Sequence, residues 1–288
     1  MSLGEIHGAV LEWYAANGRD LAFRHTRDPW AILVSEVIAQ QTQAARAADA
    51  WERFIAQFPT PAALAAVSPA TVIRAWRGLG YNRRAVRLRE AAIRIVEDHG
   101  GLVPDSLEEL QALPGIGPYT ARAVLAFAFD RPIAPLDTNV QRVLDRALGP
   151  LPTAARPRQA AADDFVAAGH PAAWSHALMD IGATICIARD PRCDACPIRT
   201  LCAWQATPRA VAPGRRSPTA RPFASTTRWL RGRILDRLRD APDGEWVDFA
   251  GSIGIHPTTT VMLELARLHA EGLLELDRLP RARLVSSP

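Results

Sequence analysis

All four cysteines of this 288-residue chain fall in one short stretch, as Cys186, Cys193, Cys196 and Cys202, with the spacing C-x6-C-x2-C-x5-C. Clustered cysteines in a chain without a secretory signal favour a metal site over disulfide bonds. Four thiolates can hold a zinc ion or an iron–sulfur cluster, and the residues alone leave both open. Four unliganded buried thiols are the less favoured alternative.

Charge and composition restrict the partner and the chemistry. The chain has a net charge of +4, and all 34 of its basic residues are arginine. This basic balance suits a polyanionic partner. The absence of lysine leaves no side-chain amine to form a Schiff base with a sugar aldehyde. No apolar run has the length of a membrane span and the N-terminus lacks a signal-like segment, so we expect a cytoplasmic protein.

The apolar periodicity divides the chain into three parts. Helical spacing runs through the first 205 residues and predicts an all-α domain of about ten short helices. Residues 207–222 are rich in Pro, Ala, Arg and Gly and predict a linker. Residues 223–288 predict two helices and a short hairpin, a small winged-helix-like module that either binds DNA or serves as a packing or dimerisation unit.

A compact turn lies between two predicted helices, 105–112 and 118–129. It reads Leu-Pro-Gly115-Ile-Gly117-Pro-Tyr119-Thr. Two glycines separated by one residue allow a tight turn with accessible amides before a helix, which suits the binding of a DNA phosphate without sequence readout.

Asp137 follows Gly117 by 20 residues, in Pro-Leu-Asp137-Thr-Asn139-Val. It can be the N-cap of the next helix, or an ionised acid that stabilises positive charge on a sugar whose glycosidic bond is breaking. Both roles are compatible, and Asn139 would support the aspartate.

Glu36 is the single acid in a largely apolar predicted helix, Asp28-Pro-Trp-Ala-Ile-Leu-Val-Ser-Glu36-Val-Ile-Ala. A buried carboxyl group without a basic neighbour in sequence should have a raised pKa, which suits a proton donor. A satisfied core glutamate is the alternative. With Asp137, the pair has the logic of a glycosidase: one acid protonates the leaving group and the other supports the sugar cation.

Together these motifs resemble the helix-hairpin-helix DNA glycosylase superfamily, which includes endonuclease III, and most closely its MutY-type adenine DNA glycosylases. The resemblance implies an all-α fold with a six-helix domain (21–134) that carries the hairpin. It also implies a domain built from residues 1–20 and 135–206, whose four cysteines would hold a [4Fe-4S] cluster. Tyr119 stands where lysine-dependent bifunctional relatives carry their lysine, so the resemblance implies an enzyme without AP lyase activity.

The resemblance also assigns roles to residues. Glu36 would protonate N7 of adenine, Arg24 would line the adenine pocket, and Tyr119 would place a hydroxyl beside the catalytic aspartate. Other residues would contact DNA: Gln41 and Thr42 the opposite base, Leu79 and Tyr81 the base stack, and Gly115 and Gly117 the backbone.

Three positions depart from the family pattern. Leu-Pro-Trp-Arg becomes Leu-Ala-Phe-Arg24, the leucine three residues after the glutamate is Ala39, and the second tyrosine of Gly-Tyr-Tyr is Asn82. Residues 223–288 are also too few, and wrongly patterned, for the Nudix-like domain that many of these enzymes use to recognise 8-oxoguanine.

The expected function is base excision repair by hydrolysis of adenine from mispairs with 8-oxoguanine or guanine. We expect a monomer that binds double-stranded DNA with a mispair or damaged base, and no membrane, in the nucleoid of a bacterium. A thymine or uracil mismatch glycosylase is the alternative enzyme. Gln40 and Gln41 favour adenine, because the thymine enzymes tend to carry arginines there. A non-catalytic iron–sulfur DNA-binding regulator is the alternative from another class.

Overall fold

The computed structural model describes residues 2–206, 222–277 and 280–286. The predicted linker, 207–222, lies outside these ranges except for Pro222. In the described part before residue 207 the regular structure is helical, which confirms the all-α prediction. The helices there are α1 (Leu3–Asn17), α2 (Pro29–Ala39), α3 (Ala44–Gln57), α4 (Pro61–Ala65), α5 (Pro69–Ala75), α6 (Arg83–His99), α7 (Leu107–Ala112), α8 (Pro118–Ala128), α9 (Thr138–Ala147), α10 (Ala155–Asp164), α11 (Pro171–Thr184) and α12 (Ala203–Ala206).

Local sequence sets where several helices begin. Helices α4 and α5 each open with a hydroxyl residue followed by proline. The side chains of Thr60 and Ser68 accept hydrogen bonds from backbone amides in the first turn, and Pro61 and Pro69 occupy the first helical position. None of the helices in the described ranges is long and apolar enough to cross a membrane.

The chain divides into two compact units. The first comprises Met1–Glu36, Val103–Ala112 and Ile116–Ala212, and the second comprises Val37–Leu102, Leu113–Gly115 and Pro213–Pro288. The domain boundaries expected from the sequence resemblance differ from this division, and they stay predictions.

The core of the first unit is built on helix α11. Helices α1, α8 and α9 pack against it. Val10 of α1, Val143 and Leu144 of α9, and Trp174 and Ile181 of α11 are all buried there. The packing brings the start of α9 against α11, where Gly182 faces Asn139. This contact fixes the region that carries Asp137.

The C-terminal module has the predicted order of elements. Helices α13 (Thr227–Asp240) and α14 (Thr258–Ala270) accompany strands β1 (Val247–Asp248), β2 (Leu274–Leu276) and β3 (Arg281–Leu284). The antiparallel sheet has the order β1-β3-β2, so the hairpin of β2 and β3 is extended at one edge by β1. Two helices and this hairpin agree with a winged-helix-like module.

The module shares its hydrophobic core with helices α5 and α6. Ala70, Ile73 and Val86 lie in the same buried cluster as Leu230 and Ile234 of α13. Backbone bonding joins the same parts: the amide of Ala70 donates to the carbonyl of Val285 at 2.9 Å. The module is therefore an integral part of the second unit.

Candidate active site

Glu36 lies in α2 and is only 9% exposed. Burial raises the pKa of its carboxyl group from 4.5 to about 7, and the negative charge of Asp137 adds to the rise. A hydrogen bond from Tyr119 and the positive charge of Arg24 act in the opposite direction. The raised pKa expected from the sequence is thereby confirmed. The sequence expectation did not include Arg24, which is not a neighbour of Glu36 in the chain and whose positive charge lowers this pKa.

Asp137 is the N-cap of α9. Its Oδ1 accepts a 2.7 Å hydrogen bond from the amide of Val140, and its Oδ2 accepts one of 3.1 Å from Nδ2 of Asn139. These two bonds fix the carboxylate at the helix entrance. The N-cap role expected from the sequence is confirmed.

Asn139 is itself held on two sides. Its Oδ1 accepts a 2.7 Å hydrogen bond from Arg142, which also donates to the carbonyl of Gly182 at 2.6 Å. Gly182 has no space for a side chain, because an added Cβ would lie 2.6 Å from the Cβ of Asn139. The close approach of α11 to α9 at Gly182 thus orients Asn139, which donates a hydrogen bond to Asp137.

Tyr119 links the two acids. It lies in the first turn of α8, and its hydroxyl donates a hydrogen bond to the carboxyl group of Glu36. Desolvation and the negative charges of Glu36 and Asp137 raise the pKa of the Tyr119 hydroxyl well above its usual value, so it remains a proton donor at neutral pH. The structure therefore brings Glu36, Tyr119 and Asp137 into one electrostatic neighbourhood.

A cavity of about 180 Å³ opens beside Glu36. This is smaller than the roughly 300–1,000 Å³ of sites for drug-sized ligands and suits one heterocycle. Its wall combines aromatic rings with a few charged and polar groups. The lining residues are Tyr14, Phe23, Arg24, Thr26, Arg27, Ile32, Ser35, Glu36, Phe127, Ala172, Ala173 and His176.

His176 in this wall is a neutral ring at physiological pH. Desolvation, followed by the charge of Arg24, lowers its pKa to about 3. Its ring lies 4.2 Å from that of Phe127, centroid to centroid. The cavity thus has a flat, uncharged aromatic surface as well as the carboxyl group of Glu36.

Arg24 lines the cavity, and Asp180, which no sequence pattern above had singled out, holds it there. Asp180 is fully buried and binds both terminal nitrogens of Arg24 at 2.8 Å. It also accepts 2.8 and 2.7 Å bonds from the backbone and Nε of Arg19. Asp180 is a lone acid in an apolar helical run, the signal that singled out Glu36, and the same argument would have found it.

Only one of the two glycines in the turn before α8 needs to be glycine. Gly115 has φ +81°, and an added Cβ would lie 2.8 Å from the Cβ of Arg87. Gly117 is extended, with open space where a Cβ would lie, and serves as the N-cap of α8 without a side-chain capping bond. The first amides of α8 are therefore not capped by a side chain.

The residues expected to contact the opposite base and the base stack belong to the second unit. Gln41, Thr42, Leu79 and Tyr81 all line one groove of about 1080 Å³. Leu79 is buried at 7% exposure, whereas Tyr81 is 44% exposed. Gln41 and Tyr81 have φ values of +55° and +45°, a strained conformation for non-glycine residues that is concentrated at functional sites.

The four cysteines line one small cavity in the first unit. None of them forms a disulfide bond. Arg146 of α9 lies against them: its NH1 is 3.4 Å from Sγ of Cys186, and it donates to the carbonyl of Ile187 at 2.8 Å. Within the described ranges, no three His, Cys, Asp or Glu side chains form a group arranged to hold a single metal ion.

Comparisons with known proteins agree with this architecture. Residues 34–163 match the family model of the HhH-GPD superfamily base excision DNA repair protein. The adenine DNA glycosylase of Mycobacterium tuberculosis is 45% identical over 240 residues, which cover 81% of this chain and 78% of the relative. The thymine-DNA glycosylase of Aeropyrum pernix is 36% identical over 204 residues, covering 68% of this chain and 92% of the relative.

A solved thermostable thymine-DNA glycosylase has a similar structure. It superposes with a TM-score of 0.67 at 29% sequence identity, over 71% of this chain and 96% of that one. This similarity supports the helix-hairpin-helix fold.

Proposed function

Because the chain belongs to the family of adenine DNA glycosylases within the HhH-GPD superfamily, we propose that it hydrolyses the N-glycosidic bond of adenine mispaired with 8-oxoguanine or guanine, in base excision repair. The observation that carries this proposal is the neighbourhood of Glu36, Tyr119 and Asp137 beside a cavity for one heterocycle.

Glu36 is the proton donor in this proposal. With a pKa of about 7, a large fraction of its carboxyl groups is protonated at neutral pH. Its proton passes to N7 of adenine, so the base leaves without negative charge. After this proton transfer, the hydrogen bond donated by the Tyr119 hydroxyl stabilises the carboxylate of Glu36.

Asp137 stabilises the sugar. As the bond to adenine breaks, positive charge builds on the sugar ring, and an ionised carboxylate lowers the energy of that oxocarbenium-like state. The two bonds that Asp137 accepts from Val140 and Asn139 hold it in place before the reaction begins. Water completes the hydrolysis, and the product is an abasic site.

The chemistry of the chain supports a monofunctional enzyme. Strand cleavage through a Schiff base requires an amine, and the chain has no lysine. The hydroxyl of Tyr119, at the family's lysine position, is engaged with Glu36.

The adenine would occupy the cavity beside Glu36, with Arg24 and the neutral rings of His176 and Phe127 around it. Flipped bases are recognised by stacking and by hydrogen bonds to their edges, and this wall offers both. The buried Asp180 keeps Arg24 in position.

DNA would be held by several elements. The Gly115 to Gly117 turn and the first amides of α8 suit a phosphate, because a helix N-terminus attracts anions. Gln41 and Thr42 would contact the base opposite adenine. Of the two residues proposed to enter the stack, Tyr81 is exposed and Leu79 is buried.

Cys186, Cys193, Cys196 and Cys202 would hold a [4Fe-4S] cluster. Each thiolate of such a cluster binds a separate iron, so four thiols placed around one cavity fit the donor set. Arg146 beside Cys186 would offset part of the cluster's negative charge. The cluster would order the loop, and no step of bond cleavage needs it.

The wider organisation is proposed as expected from the sequence. Residues 21–134 form the six-helix domain, 1–20 and 135–206 the cluster domain, 207–222 a linker and 223–288 the winged-helix-like module. The protein acts as a monomer on chromosomal DNA, which in a bacterium places it in the cytoplasm with the nucleoid.

The test is base release from a panel of duplexes carrying A:8-oxoguanine, A:G, T:G and U:G pairs, analysed with and without alkali. We expect alkali-dependent strand breaks at adenine for the wild type and none for Glu36→Gln or Asp137→Asn. Asp137→Asn should still bind the mispaired duplex. Glu12→Gln, at an exposed position on α1, is the matched control.

Two results would overturn the proposal. Release of thymine or uracil but not adenine would establish the mismatch enzyme, which the likeness to the thymine-DNA glycosylases makes the second candidate. Specific binding of damaged DNA without release of any base would establish the regulatory protein.

A further inference from the structure

The C-terminal module forms one wall of the groove that contains Gln41 and Tyr81. We call this cavity the basic groove. One wall comes from residues 40–43, Arg46 and residues 78–84. The other comes from Phe223, residues 227–229, residues 231–233 and nearby side chains of the module. All of these residues belong to the second unit.

The module also holds the turn that carries Tyr81. Arg239 of α13 donates a 2.6 Å hydrogen bond to Oδ1 of Asn82 and a 2.9 Å bond to the carbonyl of Ile73. Asn82 is the position where this chain departs from the Gly-Tyr-Tyr pattern of the family, and its side chain accepts this hydrogen bond from the module.

Arg228 extends this contact to Tyr81. Its guanidinium group lies over the Tyr81 ring, 4.5 Å from the centroid, and that of Arg84 lies 5.7 Å away. Arg84 is anchored below by several backbone carbonyls, including that of Val37 at 2.8 Å. Arg228 is exposed and has no such anchor among the described residues.

The groove carries positive charge that no carboxylate offsets. Within residues 2–206, 222–277 and 280–286, Arg46, Arg83 and Arg228 form no ion pair. Its carboxylates are already engaged, Asp236 with Arg233 and Arg239, and Glu271 with Arg231. Guanidinium groups beside an accessible aromatic ring suit a nucleic acid strand, which offers phosphates to the cations and bases to the ring.

We propose that the C-terminal module forms one wall of the binding site for the DNA strand opposite the target base, and that Arg228 binds a phosphate of that strand while it holds Tyr81. This deepens the proposed function and rests on it, because the opposite strand is defined by the base that is excised. It gives the module a DNA-contacting role in place of a packing or dimerisation role.

The test replaces single phosphates by uncharged methylphosphonates, one position at a time, in either strand of an A:8-oxoguanine duplex. A 2′-fluoro group on the target sugar destabilises the oxocarbenium-like state and keeps the DNA intact during binding. For the full-length wild type we expect one or two positions in the opposite strand at which neutralisation weakens binding several-fold. In Arg228→Gln those positions should have no effect.

The salt dependence gives a second readout. Loss of one phosphate contact should reduce the slope of log affinity against log salt by about 0.9. Arg237→Gln is the matched control, since it removes the same charge from an exposed position of the same helix that does not line the groove. This control should retain the wild-type slope and the wild-type pattern of sensitive phosphates.

Three outcomes would overturn the proposal: Arg228→Gln keeps the sensitive positions, the sensitive positions that it loses lie in the target strand, or Arg237→Gln changes the pattern equally. Base release from unmodified duplexes is measured on the same preparations. If the wild type releases no base, the proposed function fails whatever the phosphate pattern. If base is released and the pattern does not depend on Arg228, only this inference fails.

Discussion

The hydroxyl of Tyr119 donates a hydrogen bond to the buried carboxyl group of Glu36. Desolvation favours the protonated acid, and this bond favours the carboxylate, so the two effects leave the pKa of Glu36 at about 7. A pKa near the working pH allows one group both to give up a proton and to recover it between turnovers.

The raised pKa of Glu36 makes the folded protein less stable as the pH rises. Between the unfolded value of 4.5 and the folded value of about 7, the folded state binds more protons, so its stability falls across that window. Glu36→Gln removes this loss. We expect its advantage in free energy of unfolding over the wild type to grow by about 3 kcal/mol from pH 4.5 to pH 8, in urea titrations. If the difference in free energy of unfolding between the variant and the wild type were the same at both pH values, the raised pKa of Glu36 would be refuted.

Tyr119→Phe should move the pH dependence of base release. The variant keeps the ring but loses the hydrogen bond that lowers the pKa of Glu36. The decline in single-turnover rate above pH 7 should therefore shift to higher pH. A merely structural role of Tyr119 would lower the rate at every pH and leave the position of the decline unchanged.

Asp180→Asn should strongly destabilise the protein. The substitution leaves Arg24, whose side chain is 6% exposed, without its carboxylate. Breaking a buried ion pair on one side costs about 3–5 kcal/mol. Asp20→Asn is the control, because Asp20 is exposed and its ion-pair partner among the described residues is the exposed His25. It should change the free energy of unfolding by less than about 0.5 kcal/mol.

Gly182→Ala should disturb Asp137, the proposed catalytic acid, through Asn139. The added Cβ would lie 2.6 Å from the Cβ of Asn139 and 3.0 Å from its carbonyl oxygen, so backbone must move. We expect a loss of about 1–3 kcal/mol in stability together with slower base release. Gly8→Ala, in a helix with open space around it, should be stabilising by up to about 1 kcal/mol. Equal effects of the two substitutions would refute the role of the contact.

Cys196→Ser should abolish assembly of the proposed [4Fe-4S] cluster. Iron and acid-labile sulfide would fall from four of each per chain in the wild type, and residues 186–202 should become sensitive to protease. Asp194→Asn, at an exposed position of the same loop, should leave both measurements unchanged. Full iron content in the serine variant would exclude the proposed ligand set.

Features that depend on neighbouring residues were predictable from the sequence. The buried Glu36 follows from one acid in an apolar helix, and the N-cap role of Asp137 follows from a polar residue before a periodic apolar run. The bounds of α8 agree with the predicted helix 118–129 within a residue, because proline and apolar periodicity define them locally.

Features that depend on distant residues were not predictable in this way. Asp180 binds Arg24 across 156 positions of the chain, and Arg239 reaches Asn82 across 157. No local pattern encodes which helices meet, so the sequence left the role of the module open. Leu79 and Tyr81 are two residues apart, yet one is buried and the other exposed, because Gly78, Gly80 and Tyr81 adopt positive φ values that no helix or strand period describes.

Helix α9 contacts both Asp137 and the loop that carries the cysteines. Its entrance carries Asp137, and Arg142 and Arg146 further along bind the carbonyls of Cys186 and Ile187. The ten residues of α9 span about 15 Å and connect the cysteine loop to Asp137. Loss of iron from the proposed cluster would therefore disturb the position of the Asp137 carboxylate, and with it the proposed base release, without any change to the reacting groups themselves.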